Sequence, residues 1–322
     1  MRLNPLQALC AALILTATGC GGHQPHLRLV AFSQANNAEP YRAAQKTLME
    51  QLFAQTPDVQ LVVSDAQQDN SKQIAQIETF IRQKPAVLIV APNERAALTA
   101  VMGQAMQTGI PVICLERDIL QPNYTTYIRI DNRAIGRMAG QFIVDHLTQQ
   151  FGEPKGTVVI IRGLLGVEAQ INRDGGAREV LARYPQIHIV ADPVADWIQA
   201  KAKDRMIEVL RVQPHIDVVY AHNDPMAIGA YLAAKELNRD KEMIFVGVDG
   251  LGGPAGGIKK VIDGVLAATF IYPLGVKEAV DIAQKILRDP VYRPDKEVTL
   301  SSTMVTPANA NELYQQLTVP TR

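Results

Sequence analysis

The chain has 322 residues, 47% of them hydrophobic and 20% charged, with 32 basic side chains against 32 acidic ones. Those proportions belong to an ordinary globular protein, and at this length two domains are expected rather than one. A net charge of zero, with no basic run anywhere, excludes a nucleic-acid surface and a polybasic membrane face.

The first predicted element is a leader. Arg2 gives a positive start, Leu6 to Thr18 forms a mostly apolar run, and Ala17-Thr18-Gly19-Cys20 follows with small residues before a cysteine. Residues 1–20 therefore read as a signal peptide, too short to span a membrane as a mature helix. The small residues before Cys20 resemble a bacterial lipobox, in which Cys20 becomes the lipid-bearing first residue. Ala17 stands where that pattern usually has Leu, and the alternative is ordinary cleavage with Cys20 as a spare thiol. Beyond Thr18 no apolar stretch approaches the ~20 residues of a membrane span. The mature protein is expected to be a soluble body outside the cytoplasmic membrane, periplasmic or at the cell surface, touching the membrane only through its lipid. Cys114, inside "IPVICLE", is expected to be buried as a small hydrophobe. With Cys10 in the leader and 3 cysteines in all, the count excludes a disulfide scaffold and a structural zinc site.

From Leu27 the chain alternates short apolar runs with helix-period segments. The strand-like runs are 27–32, 59–64, 86–91, 111–116, 157–161, 187–191, 217–221, 243–248 and 266–271. They are rich in Val and Ile and nearly continuous in hydrophobicity, as parallel strands covered on both faces must be. Between them, apolar residues recur three and four apart, as at Ala227, Ala230, Ala234 and Leu237. This alternation predicts a doubly wound α/β protein, and the number of strands predicts two lobes. In "YTTYIRIDNRAIGRMAG" (124–140) a strand-like run follows "PVICLE" with no helix between, which reads as a crossing from one lobe to the other.

Just past the strands stand Gln34 with Tyr41 and Arg42, Asp65, Asn93, Glu116 and Arg117, Asp131 and Asn132, Asn223 and Asp224, Asp249, and Tyr272. Arg173 and the single tryptophan, Trp197, fall at loop-helix junctions of the second lobe. Ligands of open α/β sheets sit beyond the carboxyl ends of the strands, where these side chains gather. Each also has a plain structural role: Asp224 or Asn93 as a helix cap, Asp65 in a turn, Arg173 in a surface ion pair, Trp197 in the core. As a set they have the chemistry of a polyol site. A sugar hydroxyl donates and accepts at once; a carboxylate accepts from two neighbouring hydroxyls, an Arg fork donates to two, and Asn supplies one of each. Aromatic faces cover the C–H patches of the ring. Glu116 and Asp249 can also satisfy Arg117 and Arg173 while no ligand is bound.

Over nearly all of the mature chain the sequence resembles the bacterial sugar-binding proteins of the ribose- and galactofuranose-binding type. The resemblance is carried, in family order, by "VAFSQANNAEPYRAAQ", "GIPVICLERD", "IDNRAIGRMAGQ", "INRDGGAREVL", "VYAHNDPMAIGAYLAAKE", "FVGVDG" and "DGVLAATF". It implies a type I periplasmic binding protein fold: two Rossmann-like, doubly wound lobes joined by three crossing segments, with ligand enclosed between them. The lobes are expected at 27–130 plus 273–300 and at 131–272 plus 301–322. Carried over by position, the resemblance points to Gln34, Tyr41, Arg42, Glu116 and Arg117 from the first lobe. From the second it points to Arg173, Trp197, Asn223 and Asp249, with Asp131 and Tyr272 at crossings. Asn223 is then a ligand contact and Asp224 the cap of the helix beside it. The family usually has Asp before the Arg of "LER"; Glu116 is longer by one methylene, which moves its carboxylate by ~1.5 Å. Val248 replaces an aromatic of ribose binders, so ribose itself is not expected.

Other readings fare worse. The chain lacks a Gly-x-Ser-x-Gly elbow, a His-Glu-x-x-His motif and a phosphate loop ending in Gly-Lys-Ser/Thr, so no enzyme is expected. "GLGGPA" (250–255) fits a dinucleotide fingerprint in form. Pro254 interrupts its turn and no acid ends the next strand, so it reads as a helix-entry loop and no cofactor is expected. A sugar-responsive repressor would need a DNA-binding helix pair where the leader stands. The expected function is capture of a small sugar or polyol by a monomer that delivers it to an ABC transporter permease. The alternative is presentation of the closed form to a signalling receptor or histidine kinase.

Overall fold

The computed structural model describes residues 27–317, so the expected leader and Cys20 lie outside the described residues. The chain opens with β1 (Arg28–Gln34), α1 (Pro40–Phe53), β2 (Val59–Asp65), α2 (Asn70–Gln83), β3 (Val87–Ala91) and α3 (Arg95–Gln107). It continues through β4 (Val112–Leu115), β5 (Thr126–Ile130), α4 (Asn132–Phe151), β6 (Gly156–Ile161), α5 (Glu168–Leu181) and β7 (Ile187–Ala191). Then come α6 (Gln199–Val212), β8 (Val218–Ala221), α7 (Asp224–Glu236), β9 (Ile244–Val246), α8 (Gly257–Ile262) and β10 (Thr269–Phe270). The last elements are α9 (Val276–Arg288), β11 (Glu297–Leu300), β12 (Met304–Val305) and α10 (Ala310–Leu317).

Two sheets organise the molecule. One runs β11-β5-β4-β3-β1-β2 and the other β7-β6-β8-β9, every pairing within them parallel. A parallel sheet wrapped by helices buries both faces, which is why the Val/Ile runs of β3, β4 and β8 are buried at every position. In each sheet the winding reverses once, between β1 and β3 and between β6 and β8, so each lobe has a crevice at the carboxyl ends of its strands.

Three crossings join the lobes. The first follows β5, which pairs in parallel with β4 as a full strand of the first sheet; the change of lobe comes at Asp131, where α4 begins. The second follows β10. The third links β11, parallel to β5, with β12, antiparallel to β10. The sequence reading missed β11 and β12 because they are short and lack a continuous apolar run. In the run 266–271, Thr269 and Phe270 form β10, antiparallel to β12, and Ala268 and Ile271 add isolated parallel bridges to Val246 and Asp249.

Cys114 is a buried thiol, as its apolar surroundings require. Ala227, Ala230 and Ala234 are buried, whereas Leu237, the C-cap residue after α7, is exposed. Among the described residues no helix is long and apolar enough to cross a membrane.

Candidate functional site

The first lobe offers its groups from two strand ends. Pro40 begins α1 with φ already set for a helix, which places Tyr41 and Arg42 in the first turn, both buried. Beyond β4 the chain turns sharply at Glu116, whose φ of 68° is unusual for any residue but glycine. Two hydrogen bonds hold that turn: Glu116 N–H donates to the Ile128 carbonyl at 2.8 Å, and Tyr127 Oη donates to the Glu116 carbonyl at 3.0 Å. The Glu116 carboxylate forms an ion pair with Arg42 and accepts from Tyr272 Oη at 2.8 Å. Arg117 donates from Nη1 to the Asn93 carbonyl at 2.8 Å, while its Nε, 3.8 Å from Glu116 Oε2, is buried without a hydrogen-bond partner.

The second lobe answers from four elements. Arg173 projects from α5, which lies close against α4 because Gly136 has no side chain; a Cβ there would sit 2.3 Å from the Arg173 carbonyl. Arg173 Nε donates to Asn132 Oδ1 at 2.9 Å and Nη1 to the His222 carbonyl. Its guanidinium lies 4.2 Å from the centre of the Tyr272 ring and 5.7 Å from that of Trp197. Trp197, at φ 70°, packs in the core of the second lobe, yet its Nε1 is buried without a partner. Asn223 closes the end of α7: its Oδ1 accepts from Met226 N–H at 3.0 Å, and Nδ2 donates to the Trp197 carbonyl at 3.2 Å. Asp249, at φ 135°, is buried.

These side chains converge. Tyr41, Arg42, Glu116, Arg117, Arg173, Trp197, Asn223, Asp249 and Tyr272 line one cavity between the lobes, with about 370 Å³ of space unfilled by protein that is continuous with open solvent. Glu39, Pro40, Ala169 and Pro225 complete its wall. Sequence reasoning passed over these four, although Glu39 and Pro40 stand directly before Tyr41. Beyond Pro40 and Trp197 the space widens into a vestibule between Asn37, Gln68 and Ile198.

Burial governs the charges. It pushes Glu116 up, but the Arg42 and Arg117 guanidiniums, with hydrogen bonds from Tyr272 and Arg42, outweigh it and hold the carboxyl below the usual range. Burial raises Asp249 well above the usual range, and the neighbouring Asp224 charge adds to it against the pull of Arg173. Burial pushes Asp224 up to about 6 as well, but it accepts from Thr269 Oγ1 at 2.6 Å and Gly250 N–H at 2.8 Å, bonds that favour its charged form over that of Asp249. His222 is kept neutral by burial and by Arg173 beneath it.

Several sequence expectations change. Asp224 is not the cap of α7; Asn223 is, because it takes the extended conformation at φ −149° and ψ 165° that lets its side chain reach back to the helix, while Asp224 is the first helical residue. Nor does Asn93 cap α3, whose cap position is Glu94; its Nδ2 donates to the Gln68 carbonyl and to Asn70. Gln34 and Asp131 are not brought to the cavity. Gln34 Nε2 faces the Arg42 carbonyl and Gln45, and Asp131 Oδ1 accepts from Ala134 N–H at 2.8 Å as the cap of α4. Arg173 makes no surface ion pair, being buried in the cleft. Asp65 does serve a turn, accepting from Gln67 N–H at 2.9 Å.

Residues 30–288 match the family described as periplasmic binding protein domain. The galactofuranose-binding protein YtfQ of Escherichia coli (strain K12) is 29% identical over 292 residues, which cover 88% of this chain and 89% of that protein. A solved fructose-binding periplasmic domain of a hybrid two-component system is 35% identical, with a TM-score of 0.83 over 90% of this chain and 94% of that one. The periplasmic component of the arabinose ABC transporter from Shewanella sp. ANA-3, solved with α- and β-L-arabinofuranose, is 28% identical, with a TM-score of 0.82 over 90% and 95% of the two chains.

Proposed function

From the premise that the chain belongs to the periplasmic binding protein family, and is a binding protein and not an enzyme, we propose that it captures a small sugar in its five-membered-ring form and delivers it to an ABC transporter permease. The observation that carries this reading is a group of polar atoms around one cavity that lack a hydrogen bond among the described residues: Arg117 Nε and Trp197 Nε1, with the buried Asp249 carboxylate beside them. Buried polar groups need partners, and a ring bearing adjacent hydroxyls supplies acceptors to the two N–H groups and donors to the carboxylate. Arg42 and Arg117 are partly balanced by Glu116, so a neutral ligand leaves no unpaired charge of its own. Galactofuranose and arabinofuranose in the names of similar proteins support the furanose form.

In this reading Tyr41, Arg42, Glu116 and Arg117 act from residues 27–130 plus 273–300. Arg173, Trp197, Asn223 and Asp249 act from residues 131–272 plus 301–322, with Tyr272 at a crossing. The ligand favours the closed arrangement because it touches both lobes. The protein works as a monomer, held at the membrane by lipid on Cys20. The two-component likeness supports a second output, presentation of the closed form to a histidine kinase. Calorimetric titration of the protein lacking residues 1–20 against pentoses, hexoses, sugar alcohols and sugar acids tests the ligand. Micromolar binding of sugars rich in furanose is expected; a flat response to every carbohydrate sinks the proposal.

A further inference from the structure

Glu116 and Arg173 approach the cavity from opposite lobes and make no hydrogen bond with each other. Two residues at the crossings connect them. Tyr272, just beyond β10, donates from Oη to Glu116 Oε1 at 2.8 Å. Asn132, the first residue of α4, donates from Nδ2 to Tyr272 Oη at 3.2 Å and accepts at Oδ1 from Arg173 Nε at 2.9 Å. A chain of three hydrogen bonds thus runs from the carboxylate of one lobe to the guanidinium of the other through two of the three crossings.

The direction of that chain is fixed by its ends. An ionised Glu116 only accepts and a guanidinium only donates. Tyr272 has one proton, given to Glu116, so its lone pair must accept from Asn132. The Asn132 amide must then turn its nitrogen toward Tyr272 and its oxygen toward Arg173. The second proton on that nitrogen goes to Glu168 Oε2 at 2.7 Å, which locks the same orientation independently. All of Tyr272, Asn132 and Arg173 are buried, so water does not compete for these positions. Reversal of any one bond would leave two donors or two acceptors face to face.

We infer that Asn132 is a positioning residue of the binding site: with Tyr272 it forms a relay, carried on the crossings, that orients Glu116 and Arg173 against each other. Asn132 does not line the cavity, and its effect reaches the ligand through the two charged groups it orders. The inference rests on the sugar-binding reading only for its functional readout, since the relay exists without any ligand.

The test is a double-mutant cycle between Glu116→Gln and Asn132→Leu, run first with Tyr272 in place and again in a Tyr272→Phe background. Coupling is read twice: in the Kd of the sugar found by titration, and in the free energy of denaturant unfolding of the ligand-free protein. Groups that share a network depart from additivity, here by about two- to tenfold in Kd. The relay predicts such coupling when Tyr272 is present and its loss with Phe, which removes only the connecting hydroxyl. Additive effects of Glu116→Gln and Asn132→Leu in both readouts, or coupling that survives Tyr272→Phe unchanged, would overturn it. Should the unmutated protein bind no sugar, the function proposal fails while the unfolding cycle still decides the relay. Where Asn132→Leu prevents folding, Asn132→Asp serves in its place. It keeps the acceptor for Arg173 and loses the donor to Tyr272, so wild-type affinity in that variant also counts against the relay.

Discussion

Arg42 and Glu116 form an ion pair in which the two side chains are only 2% and 3% exposed. Each has given up its hydration, and the pair is sustained by further bonds: Arg42 Nη1 to Gln45 Oε1 at 2.9 Å, and Tyr272 Oη to Glu116. A buried pair tolerates the loss of one member poorly, because the survivor remains charged and uncompensated. Glu116→Gln is therefore expected to destabilise the ligand-free protein by about 3–5 kcal/mol, read from the denaturant midpoint. A change below about 1 kcal/mol would mean that water reaches Arg42 and that the pair is not dry.

Asp249 stands in the opposite condition. Its carboxyl is buried and faces the Asp224 charge, so the fold gains nothing from its ionisation. Asp249→Asn should raise the thermal midpoint of the ligand-free protein by a few degrees at neutral pH, since about 1 kcal/mol moves Tm by roughly 2–4 °C at this size. Asp249→Ala should weaken sugar binding by about 2–4 kcal/mol, because hydroxyls enclosed in a dry cleft lose their acceptor. Stability gained and affinity lost at one position is the pattern of a group kept for binding. Unchanged affinity removes Asp249 from the site.

The same carboxyl sets a pH dependence. A ligand hydroxyl that donates to Asp249 favours the carboxylate, so binding lowers a pKa that burial has raised, and a proton is released. Affinity should rise with pH, by up to about tenfold per unit between the bound and free values, and level off above the free value. Glu116, held low by its two arginines, stays ionised and adds no slope. For stability the sign is reversed. The folded chain keeps a proton that the unfolded chain releases above the ordinary value of 3.8, so this contribution falls as pH rises from there through the folded value. Titrations of the protein and of Asp249→Asn between pH 5 and 8 check this; equal slopes in the two proteins refute it.

Legibility in the sequence followed the physics of each level. Except for the edge strand β11, the strands of the two sheets were visible because parallel strands buried on both faces must be continuous runs of Val, Ile and Leu, as β3 and β8 are. The residues at their ends were visible because polar side chains abruptly follow such runs, as Glu116 and Asn223 do. What stayed hidden depends on direction. Asn223 and Asp224 are equally good caps by composition, and only the extended backbone at Asn223 assigns the role. Gln34 and Asp131 have the residue type of a sugar contact, but a nearby backbone group claims each. Asn132 was in the polar set, yet its importance lies in a three-dimensional relay that no spacing encodes.

The position of Trp197 depends on a residue with no side chain. A Cβ on Gly163, just beyond β6, would lie 2.2 Å from Trp197 Cη2 and 2.3 Å from two further ring atoms. No rotamer adjustment of alanine relieves that overlap, so in Gly163→Ala the indole must move. Overpacking of this kind costs about 1–3 kcal/mol of stability. The displaced ring also takes its unpartnered Nε1 and its face away from Arg173, so sugar affinity should fall by about tenfold, the loss of one good hydrogen bond. Because the chain contains 1 tryptophan, its fluorescence reports this event without ambiguity. The unmutated protein should give a buried-indole spectrum that changes on addition of sugar, and Gly163→Ala a red-shifted one with a smaller change. If the variant kept both the spectrum and the affinity of the parent, the indole would not be seated against Gly163, and Trp197 would belong to the core alone.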